Sequence, residues 1–282
     1  MKNIKNASSL EPSGVWENFT KILNTPNPTK HEDKIVKLIK EFGENLNLET
    51  IVDEVGNIII SKPASLGMEN LKTVILQAHI DMVPQKNRDS VHDFDNDPIS
   101  AYCKDGWVKA EGTTLGADNG IGVAAMMTIL ESDTICHGPI EALFTATEES
   151  GMIGARGLKK DTLTGTVMLN LDTEEEGALY VGCAGSVTSY IDYTYKEEKT
   201  SSNVQAFKIS VTDLKGGHSG VDIHLERANA NKIMNRILWS ESKSTGLRIS
   251  SIDGGGLRNA IPRESSAIIT VPATDVEVFN RL

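Results

Sequence analysis

His79 and Asp81 stand two residues apart in the stretch LQAHIDMVPQK (76–86), at the end of an apolar run that starts at Leu71. Residues two apart on an extended chain project to the same side, so an imidazole and a carboxylate are aimed at one spot. Acidic residues recur in comparable places. Glu148 and Glu149 follow the apolar run from Ile140, Asp172 follows the run from Val167, and Asp118 stands in a Gly-Ala-Asp-Asn loop before a helical stretch. The chemistry open to such a set is cation binding. Five carboxylates gathered around one imidazole repel each other unless a counter-charge joins them, and divalent ions supply it. Two such ions carry four positive charges. Asp118, Glu149 and Asp172 as ligands return three negatives, and a shared hydroxide would bring the fourth. An imidazole among carboxylates suits zinc or a similar borderline ion better than calcium, which takes oxygen alone. Asp81 then stands behind His79, fixing its tautomer and raising its basicity.

Each residue also has an ordinary explanation. His79 alone reads as a hydrogen-bonded core or surface group, Asp81 as a turn cap, and Asp118 as an N-cap. Glu148-Glu149 reads as a solvated turn and Asp172 as part of the acidic run DTEEEG. Their joint placement at strand ends favours the metal reading, because independent surface residues would not share it. Other chemistries lack their motifs: there is no GxSxG elbow, HExxH helix or GxxxxGK[ST] phosphate loop. Gly120 to Ala125 fits a loose GxGxxA dinucleotide pattern, but it follows Asp118-Asn119 rather than a strand, and that carboxylate repels a pyrophosphate. Close helix packing is the better reason for Gly120 and Gly122.

The elements that must position these residues alternate along the chain. Helical spacing covers 15–23 and 31–46, a strand pair spans Thr50 to Ser61 around a Gly56-Asn57 turn, and a strand covers 71–78. A short hairpin holds Trp107 and Val108. A helix runs from Gly120 to Ser132, a strand from Ile140 to Thr147, a short helix covers 156–158, and a strand covers 167–171. Alternating strands and helices predict an α/β fold, with the site beyond the carboxyl ends of the strands. After GCAGS (182–186) the texture changes. Strands are expected at 187–195, 205–212, 248–252 and 266–272, and an amphipathic helix at 225–239. The boundary is expected near residue 185, giving domains 1–184 and 185–282.

Bulk composition agrees with this. The 282 residues are 39% hydrophobic and 24% charged, with a formal net charge of −11 and a mean hydropathy of −0.22. That length suggests about two domains at roughly 100–200 residues each. The acidic balance argues against nucleic acid or an anionic membrane as partner. Cys103, Cys136 and Cys183 are far apart and odd in number, so they read as reduced, inert thiols rather than a disulfide framework or zinc ribbon. MKNIKNASSLEPSGVW lacks the apolar core of a signal peptide, and a cytoplasmic location is expected.

Longer motifs sharpen the reading. AHIDMV (78–83), TTLGADNGIG (113–122), TATEESGMIGA (145–155), NLDTEEEG (170–177) and LKGGHSG (214–220) resemble the motif set of the di-zinc exopeptidases related to carnosinase and aminoacylase. The likeness is greatest to the aminoacyl-histidine (Xaa-His) dipeptidase branch, and it continues through VPQKN, HDFDNDPI, YVGCAG and LRNAIPRE. The resemblance implies a zinc-exopeptidase-like catalytic domain with a central mixed sheet, followed by an α+β lid and dimerisation domain. It implies two Zn2+ ions, with Co2+ or Mn2+ as substitutes. His79, Asp118 and Asp172 would hold the first ion, and Asp118 would bridge to a second that Glu149 also binds. Glu148 would be the general base acting on a metal-bridged water, with Asp81 orienting His79. His218 would be the lid histidine that stabilises the oxyanion, often across a dimer, and Asn259 a lid residue that touches substrate. The implied reaction is dipeptide hydrolysis of the Xaa-His type, such as β-alanyl-histidine. A tripeptidase, an acyl-amino-acid deacylase and an inactive metal-binding piece are the alternatives. The family completes its second metal with a histidine near its C-terminus, whereas the last histidine here is His224. The expectation is therefore an N-terminal fragment that binds one ion firmly and a second weakly, with poor activity and marginal folding.

Overall fold

The structure is a computed structural model and describes residues 4–5, 10–87, 89–173, 175–183, 185, 187 and 189–281. The chain forms two compact units, Met1–Gly185 and Ser186–Leu282. The first contains β1 (Ile4–Lys5), α1 (Ser13–Leu23), α2 (Asp33–Asn45), β2 (Glu49–Val52), β3 (Ile58–Lys62) and β4 (Val74–His79). It continues through β5 (Ala101–Lys104), β6 (Trp107–Ala110), α3 (Ala117–Glu131), β7 (Ile140–Thr145), α4 (Ile153–Gly157) and β8 (Val167–Asn170).

Five strands make the central sheet in the order β2-β3-β7-β4-β8. β2, β3 and β7 pair antiparallel, while β7, β4 and β8 run parallel. The registers match His79 with Thr145 and Gln77 with Asn170, so three parallel strands end together. Alternation sorts the side chains. Ile58, Ile60, Leu76, Ala78, Ala142 and Phe144 point into a core with Phe19, Ile39, Val123 and Met127 from the helices. Ile59, Ile75 and Leu143 point to the other face, against Leu158 and Leu163. Each such fully buried large side chain contributes roughly 1.5–3 kcal/mol relative to exposure. A second sheet, β1-β5-β6, is small.

Polar anchors set the strand ends. Asn57 is fully buried; its amide donates to the Gly154 carbonyl at 2.9 Å and its oxygen accepts from Ala146 N–H at 3.1 Å. The Gly56-Asn57 turn is thereby stitched to the loop after β7. Lys62 donates to the carbonyls of Ile129 and Ser132, at 3.0 and 2.7 Å, and caps the end of α3.

The second unit holds β9 (Val204–Val211), β10 (Gly217–His218), α5 (Ala230–Ser244), β11 (Arg248–Gly254), β12 (Ala260–Ile261), β13 (Ser265–Pro272) and α6 (Val276–Phe279). β11-β13-β9 form an antiparallel sheet, and β10 pairs with β12. Met234 and Leu238 of α5 pack on Ala267, Ile269 and Val271 of β13. The architecture is the mixed α/β one expected, a central mixed sheet with helices followed by a smaller α+β unit.

Three local expectations are corrected. The strand expected from residue 71 starts at Val74, where Val74 N–H meets the Pro139 carbonyl, and Leu71 is 55% exposed. Alternation at 187–195 predicts a strand, but the described residues there pair with none, and Val187, Tyr190, Ile191, Tyr193 and Tyr195 are exposed. An alternating pattern supplies a face to bury, but a ladder also needs a neighbouring strand. The helix expected from Leu225 starts at Ala230, because Glu226 has φ +51° and the Asn229 side chain accepts from Lys232 N–H. Cys103, Cys136 and Cys183 are all free. Among the described residues, no helix is long and apolar enough to cross a membrane.

Candidate metal centre

His79 ends the middle strand of the parallel trio and is 1% exposed. Its Nδ1 lies 3.0 Å from the Asp81 carbonyl and 3.4 Å from Asp81 Oδ1. Its Nε2 lies 3.0 Å from Asp118 Oδ1 and 3.5 Å from Asp172 Oδ1. A tetrahedral ion with bonds near 2.1 Å needs donor–donor edges of about 3.4 Å. The two distances from His79 Nε2 therefore match a metal's coordination edges, and the three ligand atoms all lie within 4.8 Å of one another. The residues fit a divalent cation. His79, Glu148 and Glu149 form a second group meeting the same 4.8 Å limit.

Each ligand has a local cause. Asp118 sits at the opening of α3 with non-helical φ −83° and ψ 107°, after Gly116 at φ +72°. A Cβ on Gly116 would lie 2.9 Å from Met82 Sδ, and the positive φ there favours glycine. Gly122 lets α3 approach the exit of β8: a Cβ there would collide with Asn119 Oδ1 and lie 3.0 Å from the Leu171 carbonyl. This is the close packing that the glycine pattern implies. Asp172 leaves β8 through a turn in which Asn170 Oδ1 accepts its N–H at 3.1 Å.

Asp81 does more than face His79. Its Oδ1 accepts from Glu148 N–H at 2.9 Å and its Oδ2 from Glu149 N–H at 3.2 Å. One buried carboxylate thus holds the imidazole and splints the paired glutamates. The same loop is braced from the α1–α2 connection, an arrangement sequence reading missed. Thr147 Oγ1 donates to Glu32 Oε1 at 2.8 Å, and Thr29 Oγ1 donates to Ser150 Oγ at 3.0 Å. Nothing local in the TPNPTKHE stretch marks Thr29 and Glu32 for this, because their partners lie more than a hundred residues away in sequence.

Electrostatics follow from crowding. Burial alone lowers the pKa of His79, but hydrogen bonds to Asp118, Asp172 and Asp81 outweigh it and push it up to about 12. Burial and then the Asp118 charge push Glu149 up to about 7. Burial also raises Glu148, with the His79 charge opposing. Burial works to raise Asp81, but the His79 hydrogen bond and Glu148 N–H hold it below the usual carboxylate range.

In the second unit, His218 is exposed on β10 and pairs with Ala260, the residue after Asn259. Ser219 N–H donates to the Asn259 carbonyl at 2.8 Å. His218 and Asn259 are thus neighbours across one short ladder.

A parallel-strand site built from one imidazole and several carboxylates, in a mixed α/β unit followed by an α+β unit, is the zinc-exopeptidase type of fold. The chain belongs to peptidase family M20/M25/M40, whose model matches residues 75–230, and the peptidase dimerisation domain matches residues 209–282. It is 46% identical over 275 residues to the cytosol non-specific dipeptidase of Escherichia coli (strain K12), covering 98% of this chain and 57% of that protein. It is also similar to the crystal structure of aminoacylhistidine dipeptidase from Vibrio alginolyticus, with 44% identity and a TM-score of 0.63, over 97% of this chain and 57% of that one. Peptidase T of Macrococcus caseolyticus (strain JCSC5402) is 29% identical over 153 residues, 45% of this chain and 37% of that protein. The chain thus spans little more than half the length of the dipeptidases it matches.

Proposed function

We propose that this chain is the part of a metal-dependent dipeptidase that carries its metal-binding carboxylates, and that the parent protein hydrolyses dipeptides of the Xaa-His type such as β-alanyl-histidine. The observation that carries this reading is His79 Nε2 lying between Asp118 at 3.0 Å and Asp172 at 3.5 Å, with Glu148 and Glu149 held beside them by Asp81. In this reading His79, Asp118 and Asp172 hold one Zn2+, and Asp118 with Glu149 holds a second. The ions supply Lewis-acid polarisation of the peptide carbonyl and of water when bound.

The remaining work falls to side chains of the chain. Glu148, raised by burial, takes a proton from the attacking water and returns it to the leaving amine. Asp81 keeps the His79 tautomer fixed through Nδ1 and holds the Glu148–Glu149 backbone in place. His218 donates from Nε2 to the carbonyl oxygen as it gains charge, and Asn259 beside it contacts substrate. Residues from 209 onward pair two copies, consistent with the dimerisation-domain match. A cytoplasmic location is consistent with the name of the E. coli relative.

The test is hydrolysis by the parent protein of β-alanyl-histidine, set against a panel of dipeptides, tripeptides and acyl-amino acids, with and without added Zn2+. Zinc-dependent cleavage favouring Xaa-His dipeptides supports the proposal. Zinc binding without cleavage of any panel member sinks it.

A further inference from the structure

The LKGGHSG loop that carries His218 is held by two side chains with no role in the reaction above. His218 Nδ1 accepts from the backbone N–H groups of both Gly220 and Val221, at 3.0 Å each. A ring nitrogen that accepts two N–H bonds carries no proton of its own, so in the neutral ring the proton resides on Nε2. The backbone of the same residue is anchored as well. Asp222 Oδ2 accepts from His218 N–H at 2.9 Å and from Arg227 Nη1 at 2.9 Å. Arg227 Nη1 also donates to the Gly216 carbonyl at 2.8 Å. This ion pair is largely shielded, with side chains 19% and 24% exposed, so solvent screens it less than a surface pair. Gly217 has φ +148°, and a Cβ there would run into Arg227 Nη1 and Asp222 Oδ2. Gly217 lets the loop wrap the pair, whereas a Cβ on Gly216 would run into Arg263.

We propose that Asp222 and Arg227 are positioning residues for His218, clasping its loop so that Nδ1 is committed to the backbone and Nε2–H is the ring's single donor. The role of the clasp rests on the reading of His218 as donor to the substrate carbonyl oxygen, while the clasp itself stands on the loop geometry. A free imidazole exchanges between tautomers, and in one of them Nε2 is an acceptor that repels an oxyanion. The clasp removes that form before substrate arrives, the preorganisation that makes a donor effective.

The experiment is ring-nitrogen NMR of the full 282-residue chain carrying ¹⁵N-histidine, at a pH where imidazole is neutral. His218 is expected to show an unprotonated Nδ1 coupled through hydrogen bonds to the Gly220 and Val221 amides, and a protonated Nε2. A protonated Nδ1 in the unmodified chain overturns the proposal by itself. Asp222→Asn and Arg227→Met are each expected to shift both His218 ring nitrogens toward tautomer-averaged positions, leaving His31, His79, His92 and His137, outside this loop, in place. Unmoved His218 signals in either folded variant also overturn it. If neither variant folds, the couplings in the unmodified chain decide. His218→Ala in the active parent separates the two ideas: unchanged turnover with a locked ring removes the donor role and leaves the clasp standing.

Discussion

Glu148 and Glu149 are adjacent, yet the proposed function gives them different tasks. Both backbones are held by one buried carboxylate, Asp81, which fixes the positions from which the two side chains reach the site. Glu148→Gln keeps the shape and removes the proposed base, and in the active parent it is expected to lower kcat by about 10²-fold or more, with bound metal per chain unchanged by atomic absorption. A loss of metal together with turnover would make Glu148 a ligand instead. His79→Ala removes the nitrogen that Asp118 and Asp172 flank, and tight zinc binding by equilibrium dialysis is expected to disappear. Asp81→Asn leaves one of the two glutamate N–H groups facing an amide in a buried site. It should cost about 1–3 kcal/mol in urea denaturation, besides weakening metal affinity through the loosened imidazole.

At the level of elements, the site depends on three parallel strands ending in register and on one helix approaching them closely. Gly122 sets that approach. Gly122→Ala forces α3 away from the Leu171 carbonyl, which should destabilise the chain by about 1–3 kcal/mol. It should also weaken zinc binding, because Asp118 and Asp172 ride on the two elements being separated. Calorimetric titration checks this, and unchanged affinity would show that the loop absorbs the shift. β8 presents another consequence. It is the last strand of the sheet among the described residues, and Val167, Met168 and Leu169 are 39%, 49% and 50% exposed. An apolar open edge recruits other strands, so concentrated protein should self-associate in light scattering, and Met168→Lys should reduce that while leaving zinc affinity alone.

For the whole molecule, metal and pH are linked. His79, Glu148 and Glu149 hold protons more tightly in the folded chain than in the unfolded one. For the glutamates that contribution is complete below their ordinary value of 4.5, and for Glu149 it is lost as pH rises through about 7. For His79 it is complete below 6.5 and fades toward about 12. Asp81 acts in the opposite sense, contributing above its ordinary 3.8 and failing on acidification. Chelated protein should therefore melt at a lower temperature at pH 8 than at pH 5.5. Excess zinc should reverse that order, since protons compete with the ion for the same donors. Melting curves at the two pH values, with and without zinc, check it.

Sequence alone determined which residues were chemically paired with strand ends. His79, Asp81, Glu148, Glu149 and Asp172 each follow an apolar run, and such runs report strands because burying one face has a fixed period. It also determined the family motifs and the change of texture near residue 185. Only tertiary structure decided what lies beside what. The Thr29 and Glu32 braces and the stitch made by Asn57 join residues far apart in sequence through buried or half-buried polar contacts, and no periodicity encodes a hydrogen bond between distant segments. The strand expected at 187–195 shows the same limit from the other side, for a ladder is a property of two segments and a pattern belongs to one.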